Sequence, residues 1–71
     1  MKTVEIGKLY KHYKGNIYRV MTIAKHTESL DKFVVYQDES NKDKVWARPI
    51  EMFTDSVTVD NIEKPRFQRI D

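Results

Sequence analysis

The N-terminal part of the chain alternates between apolar and polar side chains with the period of two that is typical of a β-strand. Residues 8–12 show this alternation, and residues 17–24 are rich in the β-branched and aromatic residues that strands favour. Gly15 lies between the two stretches, in a turn where a glycine can take the positive φ that other residues resist. The pattern predicts a β-hairpin with a positive φ at Gly15.

The second of these stretches carries apolar side chains on both faces, which a strand in a flat sheet does not need. A strand that is buried on different faces along its length is what a small, strongly curved barrel demands. Further short runs predict strands at 33–37, 45–48 and 56–59, a helical turn at 50–53 and an edge segment at 65–71. Met52 and Phe53 are expected to plug the open end of this barrel.

About five short strands with one helical turn before the last strand predict an all-β fold, a small SH3-like barrel. The chain has 71 residues, which is enough for one hydrophobic core only. We therefore expect a single SH3-like domain over residues 1–71. Within it, residues 1–6 form a short leader and residues 65–71 form a C-terminal edge segment.

Composition narrows the classes of function. The chain has no cysteine, which excludes a disulfide framework, a thiol nucleophile and a thiolate metal site, and which suits a reducing cytoplasm. No apolar run approaches the roughly 18 residues of a membrane span, so no membrane association is expected. The net charge of +2 hides a gradient, because the first 26 residues are strongly basic whereas residues 27–43 are acidic.

The two histidines and a nearby acid are the strongest candidates in the chain for a metal-binding or catalytic site. His26 and Glu28 are two residues apart, and His12 lies on the strand expected to pair with the one that leads to His26. Two imidazoles and a carboxylate suit a divalent metal or a metabolite. The alternative is structural: His12 packs beside an aromatic neighbour, and His26 and Glu28 order their loop. Because metal-site spacing is absent, the structural interpretation is favoured and no metal or cofactor is predicted.

A second candidate site is aromatic and basic. Trp46 and Arg48 lie two residues apart on a predicted strand and share one face, so the smaller Val45 and Ala47 are expected to point into the barrel. With Tyr13 from the first hairpin, Trp46 and Arg48 would form a face that stacks on a base or a side chain. The alternative is that the C-terminal tail covers Trp46.

Catalytic motifs are missing from the sequence. The three serines lack the glycine elbow of a nucleophile, and no glycine-rich phosphate loop is present. We therefore predict that the protein is not an enzyme.

Several blocks of residues carry a further signal, namely Gly7-x-x-Tyr10-x-His12-Tyr13-Lys14-Gly15-Asn16-x-Tyr18-x-Val20, Ala24-x-His26-x-Glu28, Val34-Val35-Tyr36, Trp46-x-Arg48-Pro49-x-x-Met52-Phe53 and Pro65-Arg66-Phe67. Together they resemble the small bacterial proteins grouped as domain of unknown function 1653, over nearly the whole chain after residue 6. The resemblance implies a compact SH3-like barrel of bacterial cytoplasmic origin and implies no activity.

The leading hypothesis from the sequence is a non-catalytic interaction module that binds a protein or a nucleic acid through its aromatic and basic face. The binding residues would come from Tyr13, Trp46 and Arg48. One alternative is a small metal- or metabolite-binding protein that uses His12, His26 and Glu28, and another is an accessory subunit of a larger assembly. The oligomeric state is left open.

Overall fold

A computed structural model describes residues 3–71 and contains seven strands and one short helix in that range. The elements are β1 Leu9–His12, β2 Ile17–Lys25, β3 Lys32–Asp38, β4 Val45–Pro49, α1 Ile50–Phe53, β5 Ser56–Val59, β6 Ile62–Pro65 and β7 Phe67–Arg69. The sequence pattern located six of these strands and the helical turn. It did not predict β6, because all four residues of that strand are exposed and show no alternation.

The strands form two antiparallel sheets. The main sheet has the order β4-β3-β2-β1-β7, and β5 pairs with β6 in a separate hairpin. The predicted mostly-β class with a short helix before the last strands is confirmed. Closure into a barrel is not seen, since β4 and β7 remain the two open edges of the main sheet. The reason is that the predicted fifth strand pairs with β6 instead of bridging these edges.

A β-bulge explains why the second strand is apolar on both faces. The pairing of β2 with β3 shifts register between Val20 and Thr22, so one extra residue is inserted at this point. An extra residue reverses the face on which the following side chains lie. Val20 is therefore fully buried, and Ile23, three residues later, also packs against the core.

Aromatic rings supply most of the core, which consists of Tyr10, Val20, Val34, Tyr36, Phe53 and Phe67. Phe53 and Phe67 stack with ring centroids 4.1 Å apart, and Phe53 is only 1% exposed. Phe53, expected to plug the open end of a barrel, is buried in the core, although the sheet does not close into a barrel. The same expectation for Met52 is wrong, because this side chain is 56% exposed on the other side of α1. Within residues 3–71, no helix is long and apolar enough to cross a membrane.

The segment before β1 is tied to the core as far as the structure describes it. Of the predicted leader, Met1 and Lys2 lie outside the described residues. Val4 packs against the core, and the Glu5 amide donates a hydrogen bond to the Tyr10 hydroxyl at 3.0 Å. The Glu5 carboxylate also pairs with Arg69 of β7 at 2.8 Å. This segment therefore fastens β1 to the edge strand β7.

Positive φ angles occur where the sheets turn. Gly15 has a φ of 113°, which confirms the prediction for the β1–β2 turn. Asp60 and Asn61 have φ angles of 52° and 62° in the β5–β6 turn, and such paired left-handed residues match the right-handed twist of a hairpin. A β-carbon at Gly15 would meet no atom within 4 Å. The glycine is therefore required for its backbone angle and not for space.

Gly15→Val is expected to lower the free energy of unfolding by about 1–3 kcal/mol, because a β-branched residue at this φ is strained. Lys14→Val is the matched control, since position 14 is in the same turn and has no positive φ among the described residues. Chemical denaturation of the three proteins measures the difference. Equal midpoints for Gly15→Val and wild type would show that this turn does not require the angle.

Candidate functional site

The register of β4 decides which of its side chains face the core. Tyr36 is paired with Trp46, and Val34 is paired with Arg48. Partners in an antiparallel pair lie on the same face, and both Tyr36 and Val34 are buried. Trp46 and Arg48 therefore lie on the core side of the sheet. The prediction that Val45 and Ala47 point inward is wrong, because the pairing with β3 and not side-chain size sets the orientation.

Aromatic side chains continue across this side of the sheet from β4 to the first turn. Successive ring centroids are 5.1 Å apart between Tyr36 and Tyr18, 5.9 Å between Tyr18 and Phe67, 4.9 Å between Phe67 and His12, and 4.5 Å between His12 and Tyr13. We call this set the aromatic row: Trp46, Tyr36, Tyr18, Phe67, His12 and Tyr13. Tyr36 and Phe67 are buried and Tyr18 and His12 are half-buried, whereas the two ends, Trp46 and Tyr13, are exposed.

Trp46 is available to a ligand. Its side chain is 50% exposed. The C-terminal tail does not cover it, because β7 pairs with β1 at the opposite edge of the sheet. Phe67 turns instead into the core beneath Phe53, and Ile70 is itself exposed. The alternative in which the tail covers Trp46 is therefore wrong.

Arg48 is a half-buried cation beside the aromatic row. Its Nε donates a hydrogen bond to the Tyr36 hydroxyl at 3.2 Å, and its guanidinium carbon lies 5.5 Å from the centroid of the Phe67 ring. No carboxylate lies within 4.0 Å of it among residues 3–71, whereas Arg19, Arg66 and Arg69 each pair with one. Arg48 thus carries a charge that the described part of the protein leaves uncompensated.

His12 lies in the same cluster. Its Nδ1 accepts a hydrogen bond from the Lys14 amide at 3.1 Å, which closes the first turn. Desolvation by burial, and then the positive charges of Arg48, Arg66 and Lys14, lower the pKa of His12 below its usual value. The neutral imidazole therefore predominates at pH 7. Because Nδ1 is the acceptor, the proton of the neutral ring resides on Nε2.

Arg66 and Lys14 complete the positive surroundings of His12. Arg66 is held by Asp55 through bonds of 2.7 and 3.2 Å, and these raise its pKa. Its carbonyl also accepts the Tyr13 amide at 2.9 Å, which brings Arg66 beside the first turn. The Nζ of Lys14 lies 5.8 Å from the centroid of the Tyr13 ring.

Arg66 and Tyr18 belong to this surface, and the sequence reasoning did not find them as site residues. Tyr18 was interpreted as core only. The available signal was the hairpin register, which pairs Tyr18 with Tyr10 and thus places it on the face of His12. Nothing local marked Arg66, because it reaches the cluster through the β7 pairing.

Acidic side chains at this end of the sheet are engaged within the protein. The Asp38 carboxylate accepts hydrogen bonds from the Ser40 amide at 2.8 Å and hydroxyl at 2.7 Å, which lower its pKa. Glu39 pairs with Arg19 at 2.8 Å and with Lys42 at 3.2 Å. Arg48 and Lys14 therefore lie beside the aromatic row without a carboxylate partner among residues 3–71, and Glu63 lines a surface pocket together with His12 and Tyr13.

The second histidine lies at the other end of the molecule. His12 adjoins the start of β2, whereas His26 follows its last residue, and nine residues of strand span roughly 25–30 Å. The His26 Nδ1 accepts the amides of Glu28 at 3.2 Å and Ser29 at 3.4 Å, which orders the loop as the structural alternative expected. The structure therefore does not bring His12, His26 and Glu28 together. Residues 3–71 contain no group of three or more His, Cys, Asp or Glu side chains that could hold a metal ion.

Comparison with known proteins finds one family and one fold. A model of the family described as "Protein of unknown function (DUF1653)" matches residues 8–69. A crystal structure of a protein belonging to this family, from Bordetella bronchiseptica, superposes with a TM-score of 0.81 at 24% identity, over 93% of this chain and 87% of that chain. At this identity the similarity shows a shared fold. A comparison with curated proteins found no match.

The lowered pKa of His12 predicts a pH dependence of stability. Between the folded-state pKa and the ordinary value of 6.5, the unfolded chain binds the proton more readily, so the free energy of unfolding falls as pH decreases through this window. Denaturation at several pH values between about 7.5 and 5.5 measures the slope, above the range where carboxylates titrate. His12→Gln is expected to flatten it, and His26→Gln, which leaves His12 in place, is expected to retain it. A wild-type stability that rises as pH falls through the window would contradict the prediction.

Proposed function

The chain belongs to the DUF1653 family, whose description names no activity, and for this member we propose a non-catalytic interaction module that binds single-stranded nucleic acid along the aromatic row. One observation carries the proposal: the uncompensated guanidinium of Arg48 and the half-exposed indole of Trp46 lie on the same face of β4. A cation next to an exposed ring suits a ligand in which anionic groups alternate with flat rings.

The exposed rings match the faces of nucleotide bases. Trp46 and Tyr13 lie at the two ends of the row, and buried rings between them hold the surface rigid. Stacking of a base on such a ring contributes about 1–3 kcal/mol and tolerates any base, because every base has a π-face. Bases are accessible for stacking in a single strand and not in a duplex, which favours a single-stranded ligand.

The charge pattern fits a weak binder of phosphates. Arg48 and Lys14 supply positive charge at the row, while the net charge of the chain is only +2. Few phosphate contacts imply a shallow dependence of affinity on salt. The ligand therefore gains its affinity chiefly from stacking and from contacts at a small number of positions.

The non-catalytic part of the proposal is supported by the use of the polar groups. One ring nitrogen of His12 accepts the Lys14 amide, and the charges that lower the pKa of His12 all belong to cations. The hydroxyls of Ser29 and Ser40 form hydrogen bonds within their loops. The hydrogen bond that joins His26 to Ser29 goes to the Ser29 amide and not to its hydroxyl, so this pair does not form an activated nucleophile. For the cellular setting we propose the bacterial cytoplasm, which the cysteine-free composition suits.

Trp46→Ala is expected to weaken binding to a fluorescein-labelled oligothymidylate of about 12 nucleotides by about 1–3 kcal/mol, because one stacking ring is lost. Val45→Ala is the matched control, since Val45 is 51% exposed on the opposite face of the same strand. Fluorescence anisotropy at low salt measures both affinities. Cooperative melting of each variant near the wild-type temperature establishes that folding is intact.

Two results would contradict this proposal. Equal losses in Trp46→Ala and Val45→Ala would show that the aromatic row is not the contact surface. No oligonucleotide binding by folded wild type at low salt would remove nucleic acid as the ligand. It would favour a protein partner instead, for which the open edge of β4 offers unpaired backbone groups.

The salt dependence of binding is expected to separate the two ends of β2. Lys14 adjoins Tyr13 of the aromatic row, whereas Lys25 is an exposed residue at the far end of β2. Lys14→Gln should lower the slope of log affinity against log salt by roughly 1 if the lysine contacts a phosphate, and Lys25→Gln should leave it unchanged. The same anisotropy titration, repeated at several salt concentrations, gives the slopes. A larger change for Lys25→Gln would place the ligand at the wrong end of the sheet for this proposal.

A further inference from the structure

We infer that Arg48 and His12 form a binding subsite for a single phosphate group of the ligand. The inference rests on the proposed function, because it assigns the place where the backbone of a nucleic acid lies along the aromatic row. It names phosphate as the chemical group that is bound and Arg48 and His12 as its donors. Stacking alone would not show where the backbone of the ligand lies.

The guanidinium of Arg48 is held in place through its Nε, whereas its terminal nitrogens are available to a ligand. Its Nε is committed to the Tyr36 hydroxyl, and Phe67 lies beneath the group. Within the described residues, its Nη1 and Nη2 donate to no protein acceptor. Two terminal N–H groups in a fixed plane match two phosphate oxygens, and a pre-oriented guanidinium loses little side-chain freedom on binding.

His12 supplies a third donor against the same ring. The imidazole packs edge to face on Phe67 with centroids 4.9 Å apart, and Arg48 lies 5.5 Å from the centroid of that ring. The bond from the Lys14 amide fixes Nδ1 as the acceptor, so Nε2 carries the proton and can donate. The two terminal N–H groups of Arg48 and the Nε2–H of His12 thus give three donors near the Phe67 ring. Three donors match a tetrahedral phosphate with several acceptor oxygens better than a planar carboxylate, which has two oxygens.

The other arginine near His12 is not available for the same task. The Nε and Nη2 of Arg66 donate to the two carboxylate oxygens of Asp55 at 2.7 and 3.2 Å. This pair of donors is therefore already occupied by a carboxylate. Arg66 contributes its charge to the surroundings of His12. The phosphate is therefore expected at Arg48 and not at Arg66, and this contrast gives the experiment a control.

The test compares thymidine, the dinucleotide TpT and thymidine 5′-monophosphate on the full chain by NMR titration. Thymidine has one base and no phosphate, TpT has two bases and one internal diester, and the monophosphate has one base and a terminal monoester. A gain for TpT that persists in Arg48→Gln would come from the second base and would count against the subsite. Wild type is expected to bind TpT at least about tenfold more tightly than thymidine, with shifts at the Arg48 Nε–H and at the His12 ring. A gain with the monophosphate alone would assign the subsite to a strand terminus, and a gain with TpT would assign it to the backbone.

Arg48→Gln is expected to abolish the difference between TpT and thymidine, and Arg48→Lys to restore it only partly because the fork is lost. Lys25→Gln, at the far end of β2, is the matched charge control and should retain the full difference. If Arg48→Gln does not fold, the wild-type shifts at Arg48 and His12 still decide the matter. Equal binding of TpT, the monophosphate and thymidine, or shifts confined to Lys14, would overturn the subsite.

The pH dependence of TpT affinity gives a second readout. A phosphodiester does not titrate near neutral pH, so any change in this range comes from the protein. His12 faces Lys14, Arg48 and Arg66, with Asp55 bound to Arg66, and it lines a surface pocket with Lys11, Glu63 and Lys64. A bound anion would offset the cations and favour the protonated ring. TpT is thus expected to bind more tightly as pH falls from about 8 to 6 in wild type and not in His12→Gln. An affinity independent of pH in wild type, together with an unchanged TpT affinity in His12→Gln, would remove His12 from the subsite.

The experiment separates failure of the subsite from failure of the proposed function. If the longer oligothymidylate binds through Trp46 while TpT gains nothing over thymidine, the proposed function stands and the subsite falls. If the monophosphate binds at Arg48 while no oligonucleotide binds, the subsite stands and the nucleic-acid ligand falls. Both results use the same folded wild-type protein.

Discussion

The stacking of Phe53 on Phe67 is the contact on which the rest of the structure depends. The two residues come from the single helical turn and from the last strand, and their rings are nearly parallel at 4.1 Å. Tyr10 and Tyr36 pack against this pair from the middle of the sheet. A chain of 71 residues buries a smaller fraction of its surface than a larger domain does, so a few large rings must supply much of the apolar contact. Removing either phenylalanine ring would leave a cavity and remove the ring contact between α1 and β7.

The same pair positions the candidate site. Phe67 lies under the Arg48 guanidinium and makes a T-shaped contact with the His12 ring, so a side chain of the core also positions the polar groups above it. Such a double role of one side chain is typical of a very small domain, in which hardly any residue is far from solvent. It also means that core and site are coupled, because a shift of Phe67 moves the surroundings of both polar groups. Stability and binding are therefore expected to share determinants here.

Local patterns predicted the elements well and the contacts between them less well. Alternation located β1 and β3, and the glycine requirement at position 15 followed from turn chemistry alone. The hidden strand β6 has no alternation, because the two-stranded hairpin it forms is exposed. The orientation of Trp46 was predicted from the small size of its neighbours, whereas the register with Tyr36, ten residues earlier, decides it. Likewise, no local pattern relates His12 to Arg48, because the two are brought near each other by their separate contacts with Phe67, which lies close to the end of the chain.

The open sheet has a consequence for how copies of this protein meet. Each unpaired edge offers backbone donors and acceptors to any other strand, and long flat edges zip together into aggregates. Here one edge strand has three residues, and the other, β4, has five and ends at Pro49, which has no amide hydrogen to donate. Short runs of this kind offer few ladder bonds, so another strand needs side-chain contacts as well as backbone pairing to be held there. An open sheet can thus discourage edge-to-edge pairing between its own copies through the shortness of its edge strands.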